Sequence, residues 1–183
     1  TPPVPGMVVT TNTAQIRKLR KITVELMLAN HNMGCTTCSR GDDCKLRRVA
    51  NELGIEKVRY RNIAKEAEID RSSPSIVRDS SKCIKCGNCV RVCREIQSVG
   101  ALDFSYRGSD TVVGVGFGHG LGDSRCVNCG QCLKVCPVGA LVPNFQIDPV
   151  WDAIADSSKL VTVAIAPAVR VAVGEAFGFK PGE

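Results

Sequence analysis

Aromatic side chains make up only 4% of this 183-residue chain, with a single tryptophan, so there is little bulky apolar area from which to build a large core. Much of the stabilisation such a core would supply is therefore expected from cross-links. Long apolar runs are missing as well. The longest, Leu160 to Val169, is about half a membrane span and contains Pro167, which excludes a spanning helix there. The N-terminus has no secretory apolar core, which argues against an oxidising destination and for a reducing, cytoplasmic one.

Cysteine, in contrast, is abundant, with eleven residues. A disulfide framework would leave one thiol over and would spread its cysteines through the chain. Here they fall into three short groups, at 35–44, 83–93 and 126–136. That distribution points to metal ligation. The formal charge of +6 ignores bound metal. Eleven thiolates wrapped around three dicationic cubane cores would bring the holo-protein close to neutral. The basic run Arg17 to Lys21 has no interleaved aromatics and reads as a solvated helix face, so no nucleic-acid partner is expected.

Residues 31–44, HNMGCTTCSRGDDC, place His31, Cys35, Cys38 and Cys44 within one loop, with Gly34 and Gly41 as turn formers. Apolar residues Ile16, Leu19, Ile22, Leu26 and Leu28 recur at near-helical spacing before the loop, with Thr13 as N-cap. Leu46, Val49 and Leu53 do so after it, with Gly54 as C-cap. A helix is thus expected on each side. Residues 55–80 read as a connector, with weak strand character in IEKVRYR and a turn at RSSPS.

An internal repeat follows: CIKCGNCVRVC at 83–93 and CVNCGQCLKVC at 126–136 share the spacing C-x2-C-x2-C-x3-C. Between them GVGFGHGLG offers no G-x-G-x-x-G register and reads as a flexible connection, with His119 a solvated loop residue. Zinc ribbons also use C-x2-C pairs, but typically draw them from separated hairpins. The compact quartets fit the bacterial ferredoxin run, in which three cysteines hold one 4Fe-4S cluster and the fourth reaches the other. On that pattern Cys83, Cys86, Cys89 and Cys136 form one ligand set and Cys126, Cys129, Cys132 and Cys93 the other. Pro137 completes the motif in the second quartet, where the first has Arg94. For the 31–44 loop, one imidazole and three thiolates suit either tetrahedral zinc or a cubane with a neutral ligand. A redox pair downstream favours the cubane, and a neutral His31 in place of a thiolate should raise its potential.

H-x3-C-x2-C-x5-C, two ferredoxin quartets, and a β-branched run leading into APAVRVAVGEAFG together resemble the accessory region and first catalytic-domain residues of iron-only (FeFe) hydrogenases. The multimeric, NAD(P)-linked and electron-bifurcating members are the best fit. The resemblance implies an α+β architecture in three parts. These are a 4Fe-4S module with one histidine and three cysteine ligands at 1–80, a two-cluster ferredoxin-like domain at 81–148, and the first strand and helix of a truncated α/β catalytic domain at 149–183. It implies three 4Fe-4S clusters here, with a 2Fe-2S cluster and the di-iron H-cluster in flanking domains beyond the chain. The start TPPVPGMVV is similar to the end of the family's 2Fe-2S domain. The implied role is electron relay for reversible hydrogen oxidation. The implied partners are flavin/NAD-binding and 2Fe-2S subunits, with ferredoxin a further candidate. Catalytic motifs of TSCCP type are absent and no cysteine follows Cys136. The alternatives are the corresponding region of an NAD-dependent formate dehydrogenase or complex I-like subunit, and a stand-alone electron carrier.

Overall fold

In the computed structural model of the chain, which describes residues 2–63 and 68–180, Thr13 caps the first helix. Its Oγ1 accepts from Ile16 N at 3.1 Å, satisfying one of the first-turn amides that have no intrahelical partner. Helix α1 runs Ala14–Ala29 and buries Val24, Glu25 and Leu28. Leu19 and Leu26 of the expected apolar face stay exposed. The buried stripe is shifted because Glu25 is drawn inward by Arg59, whose Nε and Nη2 both donate to its carboxylate, at 2.8 and 2.6 Å.

Helix α2, Lys45–Glu52, buries Leu46 and Ala50. Val49 and Leu53 pack partly against the same core. Gly54 takes a positive φ of 60° just past the helix, the role its position predicts.

The connector contains no strand at IEKVRYR, and residues 64–67 of it lie outside the described residues. The RSSPS turn joins strands β1, Ile69–Asp70, and β2, Ile76–Asp79. Strand β2 lies centrally in a three-stranded sheet, paired antiparallel with β1 on one side and with β5, Leu141–Pro143, on the other. A β3–β4 hairpin, Asp103–Ser105 against Val112–Gly114, stands between the two cysteine quartets. Because β2 leads into the first quartet and β5 leaves the second, their pairing brings the two halves of the repeat together.

Each quartet opens into a short helix, α3 (Asn88–Arg91) or α4 (Gln131–Val135), preceded by a left-handed glycine, Gly87 or Gly130, at φ 73° and 70°. The helices end differently. Pro137 forces the preceding Cys136 out of helical geometry, to φ −68°, ψ 118°. With Arg94 in the equivalent place, the first helix continues as a π-turn over Val92–Ile96 and carries Cys93 within it. A single apolar core runs from Val24 and Leu28 through Leu46 and Ile76 to Val90, Val138 and Leu141.

The molecule divides into two units, Thr1–Asn144 and Phe145–Glu183. The second contains α5, Ile147–Ala155, and α6, Pro167–Ala176, the latter with Pro167 in the first turn, where its missing N–H leaves no bond unmade. The strand expected at 161–166 is not formed among the described residues, and Leu160 and Val163 are exposed. A strand is defined by its ladder, and among the described residues no neighbouring strand pairs with this segment. Residues 181–183 of the expected catalytic-domain start, and residue 1 of the expected preceding-domain tail, lie outside the described residues.

Candidate metal centres

None of the eleven cysteines is paired in a disulfide. In the first quartet Lys85 and in the second Asn128, each directly before the second cysteine, adopt the left-handed conformation at φ 56°. With Gly87 and Gly130 they give each quartet two left-handed residues flanking its second cysteine. The glycines are needed for that backbone angle. Gly87 is also crowded, since a Cβ there would meet Phe104 at 3.0 Å, while at Gly130 the nearest atom is 3.6 Å away.

The fold groups the quartet cysteines crosswise. Burial pushes the Cys89 thiol up to about 12, and repulsion from Cys83, Cys136 and Cys86, then Cys132, adds to it. Cys83 is raised by burial and by the same neighbours, Cys136 and Cys86, against a Lys85 N–H that favours its thiolate. Cys132 is pushed up to about 11 by burial, then by Cys126, Cys129 and Cys93. Cys136 is thus beside the first three cysteines and Cys93 beside the second three. Cys93, Cys126, Cys129 and Cys132 also line one pocket, whose apolar wall includes Ile76 and Leu121.

Soft sulfur donors gathered in two sets of four, in loops of C-x2-C-x2-C spacing, have the chemistry that iron–sulfur cores require. Among the described residues no three or more His, Cys, Asp or Glu side chains close in as ligands of one ion would. Backbone amides are aimed at two of the sulfurs: Lys85 N donates to Cys83 Sγ at 3.4 Å and Ala101 N to Cys93 Sγ at 3.3 Å.

The 31–44 loop lies between α1 and α2, as its flanks predict. Gly41 lets it close, because a Cβ there would lie 2.7 Å from the Cys35 carbonyl oxygen. His31 Nδ1–H donates to the Lys82 carbonyl at 3.0 Å, which selects the tautomer with a free lone pair on Nε2. Burial lowers the His31 pKa, partly opposed by that hydrogen bond, so the ring is neutral and able to ligate. His119, by contrast, is exposed.

The loop is seated on the quartets by contacts remote in sequence. Asn32 N donates to Ser81 O at 2.9 Å, Lys45 N to Pro137 O at 3.1 Å and Arg40 Nη2 to Leu133 O at 3.0 Å. Cys38 Sγ occupies the space a side chain at Gly139 would need, 2.6 Å from its Cβ position. Lys82 and Gly139 are therefore site residues that sequence reasoning missed. One contributes a main-chain oxygen and the other an absent side chain, and neither leaves a motif.

Residues 20–59 match the NADH-ubiquinone oxidoreductase-G iron–sulfur binding region and residues 82–140 a 4Fe-4S dicluster domain. The NADP-reducing hydrogenase subunit HndD of Solidesulfovibrio fructosivorans is 40% identical over 100% of this chain and 31% of its own length. Iron hydrogenase 1 of Clostridium pasteurianum is 34% identical over 97% and 31%. An NADH-quinone oxidoreductase subunit of Rhizobium meliloti is 38% identical, over 59% of this chain and 13% of its own. Among solved structures, an NAD+-reducing [NiFe]-hydrogenase chain superposes with a TM-score of 0.72 at 28% identity, over 78% of this chain and 61% of that one. The chain spans about a third of the length of the hydrogenase relatives. Along nearly all of that span it is homologous to hydrogenase subunits, and it carries the iron–sulfur modules they share with NADH oxidoreductases.

Proposed function

We propose that this chain is the iron–sulfur relay of an NAD(P)-linked FeFe hydrogenase, holding three 4Fe-4S clusters. The clusters supply one-electron storage and transfer. His31 with Cys35, Cys38 and Cys44 holds the first, Cys83, Cys86, Cys89 and Cys136 the second, and Cys93, Cys126, Cys129 and Cys132 the third. The single most telling observation is the extent of the homology. Hydrogenase relatives align through α6, whereas the NADH-quinone oxidoreductase relative covers 59% of the chain.

The chain's own residues have three tasks. Thiolates neutralise the cores, amides such as Ala101 N bias the sulfurs, and the apolar walls limit water, all of which tune potential. The first loop abuts segments bearing Cys83 and Cys136, both of the second set, through Lys82 and Gly139. Clusters held by the first two ligand sets would therefore be neighbours in the relay. Segments 1–80, 81–148 and 149–183 serve as histidine-bearing module, two-cluster domain and start of a catalytic domain whose di-iron site lies elsewhere. Flavin/NAD-binding and 2Fe-2S subunits, or ferredoxin, exchange electrons with it in the cytoplasm. Among the described residues no helix is long and apolar enough to cross a membrane.

The match of residues 20–59 favours a second reading, the corresponding region of a complex I-like subunit. Anaerobic purification, iron and sulfide analysis and EPR of the reduced protein test the relay, with about twelve irons and twelve sulfides expected per chain. Stoichiometric zinc without acid-labile sulfide would overturn it. Reduction of the clusters by hydrogen in the full-length natural protein separates the two readings.

A further inference from the structure

Two features of the sequence have no part in the ligand sets: the glycine-rich GVGFGHGLG segment and the RSSPS turn. The fold brings them together. Asp70 Oδ2 accepts from Leu121 N at 2.8 Å, and Ser72 Oγ accepts from Gly122 N at 2.9 Å. A Cβ at Gly120 or at Gly122 would collide with Ser72, with its side chain at the first and its backbone carbonyl at the second. The last glycines of the segment are thus there because the turn lies directly on them.

The same turn reaches into the second quartet. Ser73, 1% exposed, accepts from Ser75 N and Ile76 N, both at 3.3 Å, and stands 3.0 Å from Asn128 Oδ1. With two N–H groups already directed at Oγ, its one proton goes to Asn128. Asn128 is the left-handed residue between Cys126 and Cys129. An L-residue is disfavoured in that conformation unless something holds it. Its counterpart in the repeat, Lys85, is held differently, by Nζ donating to Ser109 O at 3.0 Å.

We propose that the Asp70–Ser73 turn is the positioning element of the third centre, with the buried Ser73 hydroxyl locking Asn128 so that the Cys126–Cys129 loop keeps the geometry that sets this centre's potential. The inference rests on the relay reading, in which that loop ligates a cluster.

The test uses the anaerobically purified, cluster-loaded chain, read by EPR-monitored redox titration. Ser73→Ala removes the donor, and Asn128→Leu removes the acceptor at an exposed position while keeping a residue that resists the left-handed backbone. Each should shift the midpoint potential and EPR line shape of one centre and leave the other two unmoved. Asn128→Gly, which adopts the conformation without help, should leave all three unmoved, and in the double variant it should restore what Ser73→Ala shifted. A loss of general stability alone would not be relieved by glycine at 128. Unchanged potentials in Asn128→Leu, or a Ser73→Ala shift that Asn128→Gly fails to relieve, would overturn the proposal. If Ser73→Ala does not fold, the contrast between leucine and glycine at 128 decides. Wild-type protein without iron and sulfide would instead overturn the relay reading itself.

Discussion

As a ligand of the proposed first centre, His31 would act through charge. Its Nδ1 is committed to the Lys82 carbonyl, so Nε2 is the donor left for iron, and a neutral donor leaves the oxidised cluster less stabilised than a thiolate would. His31→Cys should therefore keep a 4Fe-4S cluster but lower the potential of one centre, on the order of 100 mV, in an EPR-monitored titration. A change in all three centres, or in none, would contradict the ligand assignment. Gly139 acts through what it lacks. Gly139→Ala places a methyl group where Cys38 Sγ sits. The expected result is loss of about four irons per chain with both quartet centres retained, measured by iron analysis alongside EPR.

At the scale of elements, α3 and α4 both begin at left-handed glycines, but their surroundings differ. Gly130→Ala pays only for the backbone conformation, about 1–2 kcal/mol. Gly87→Ala adds the Phe104 ring at 3.0 Å, and its urea midpoint should fall further than that of Gly130→Ala. Strand β1 is tied in by Asp70. Burial pushes this carboxyl up, but hydrogen bonds from the Ser72 hydroxyl and N–H and from Leu121 N–H, with the nearby Arg78 charge, outweigh it and hold it below its ordinary value. Arg78 Nε lies 3.6 Å from Asp70 Oδ2, a charge contact longer than a hydrogen bond. A depressed carboxyl contributes its stability above its unfolded pKa and loses it as pH falls toward the folded one. The margin in urea midpoint of wild type over Asp70→Asn should accordingly be constant at neutral pH and narrow below about pH 4. A margin that widens on acidification would refute the sign.

For the whole molecule, the core that joins α1 and α2 to the quartets includes Cys132 and Cys136 themselves, so two of the proposed ligands also take part in packing. Without metal, the Cys89 and Cys132 thiols are disfavoured as thiolates by burial and by the neighbouring cysteines, with no cation to offset either. Chelation of iron under reducing conditions should then unfold residues 83–136 as one unit, seen by hydrogen exchange as loss of protection in α3, α4 and the β3–β4 hairpin together. Apo-protein that kept that protection would show that the apolar core suffices alone.

The amino-acid sequence by itself determined what depends on near neighbours: both helix boundaries beside the first loop, the Thr13 cap, the Gly54 stop, the spacing of donors within each loop, and the twofold repeat. These were legible because caps, turns and ligand spacings are set by residues a few positions apart. Tertiary structure alone decided the rest. The orientation of His31 depends on a carbonyl 51 residues away and the support of Asn128 on a hydroxyl 55 residues away. The buried face of α1 was decided by Arg59 reaching Glu25 across 34 residues, which no helical periodicity encodes. The segment at 161–166 has a strand's composition but no ladder partner among the described residues, and composition cannot supply the hydrogen bonds that a neighbouring strand must provide.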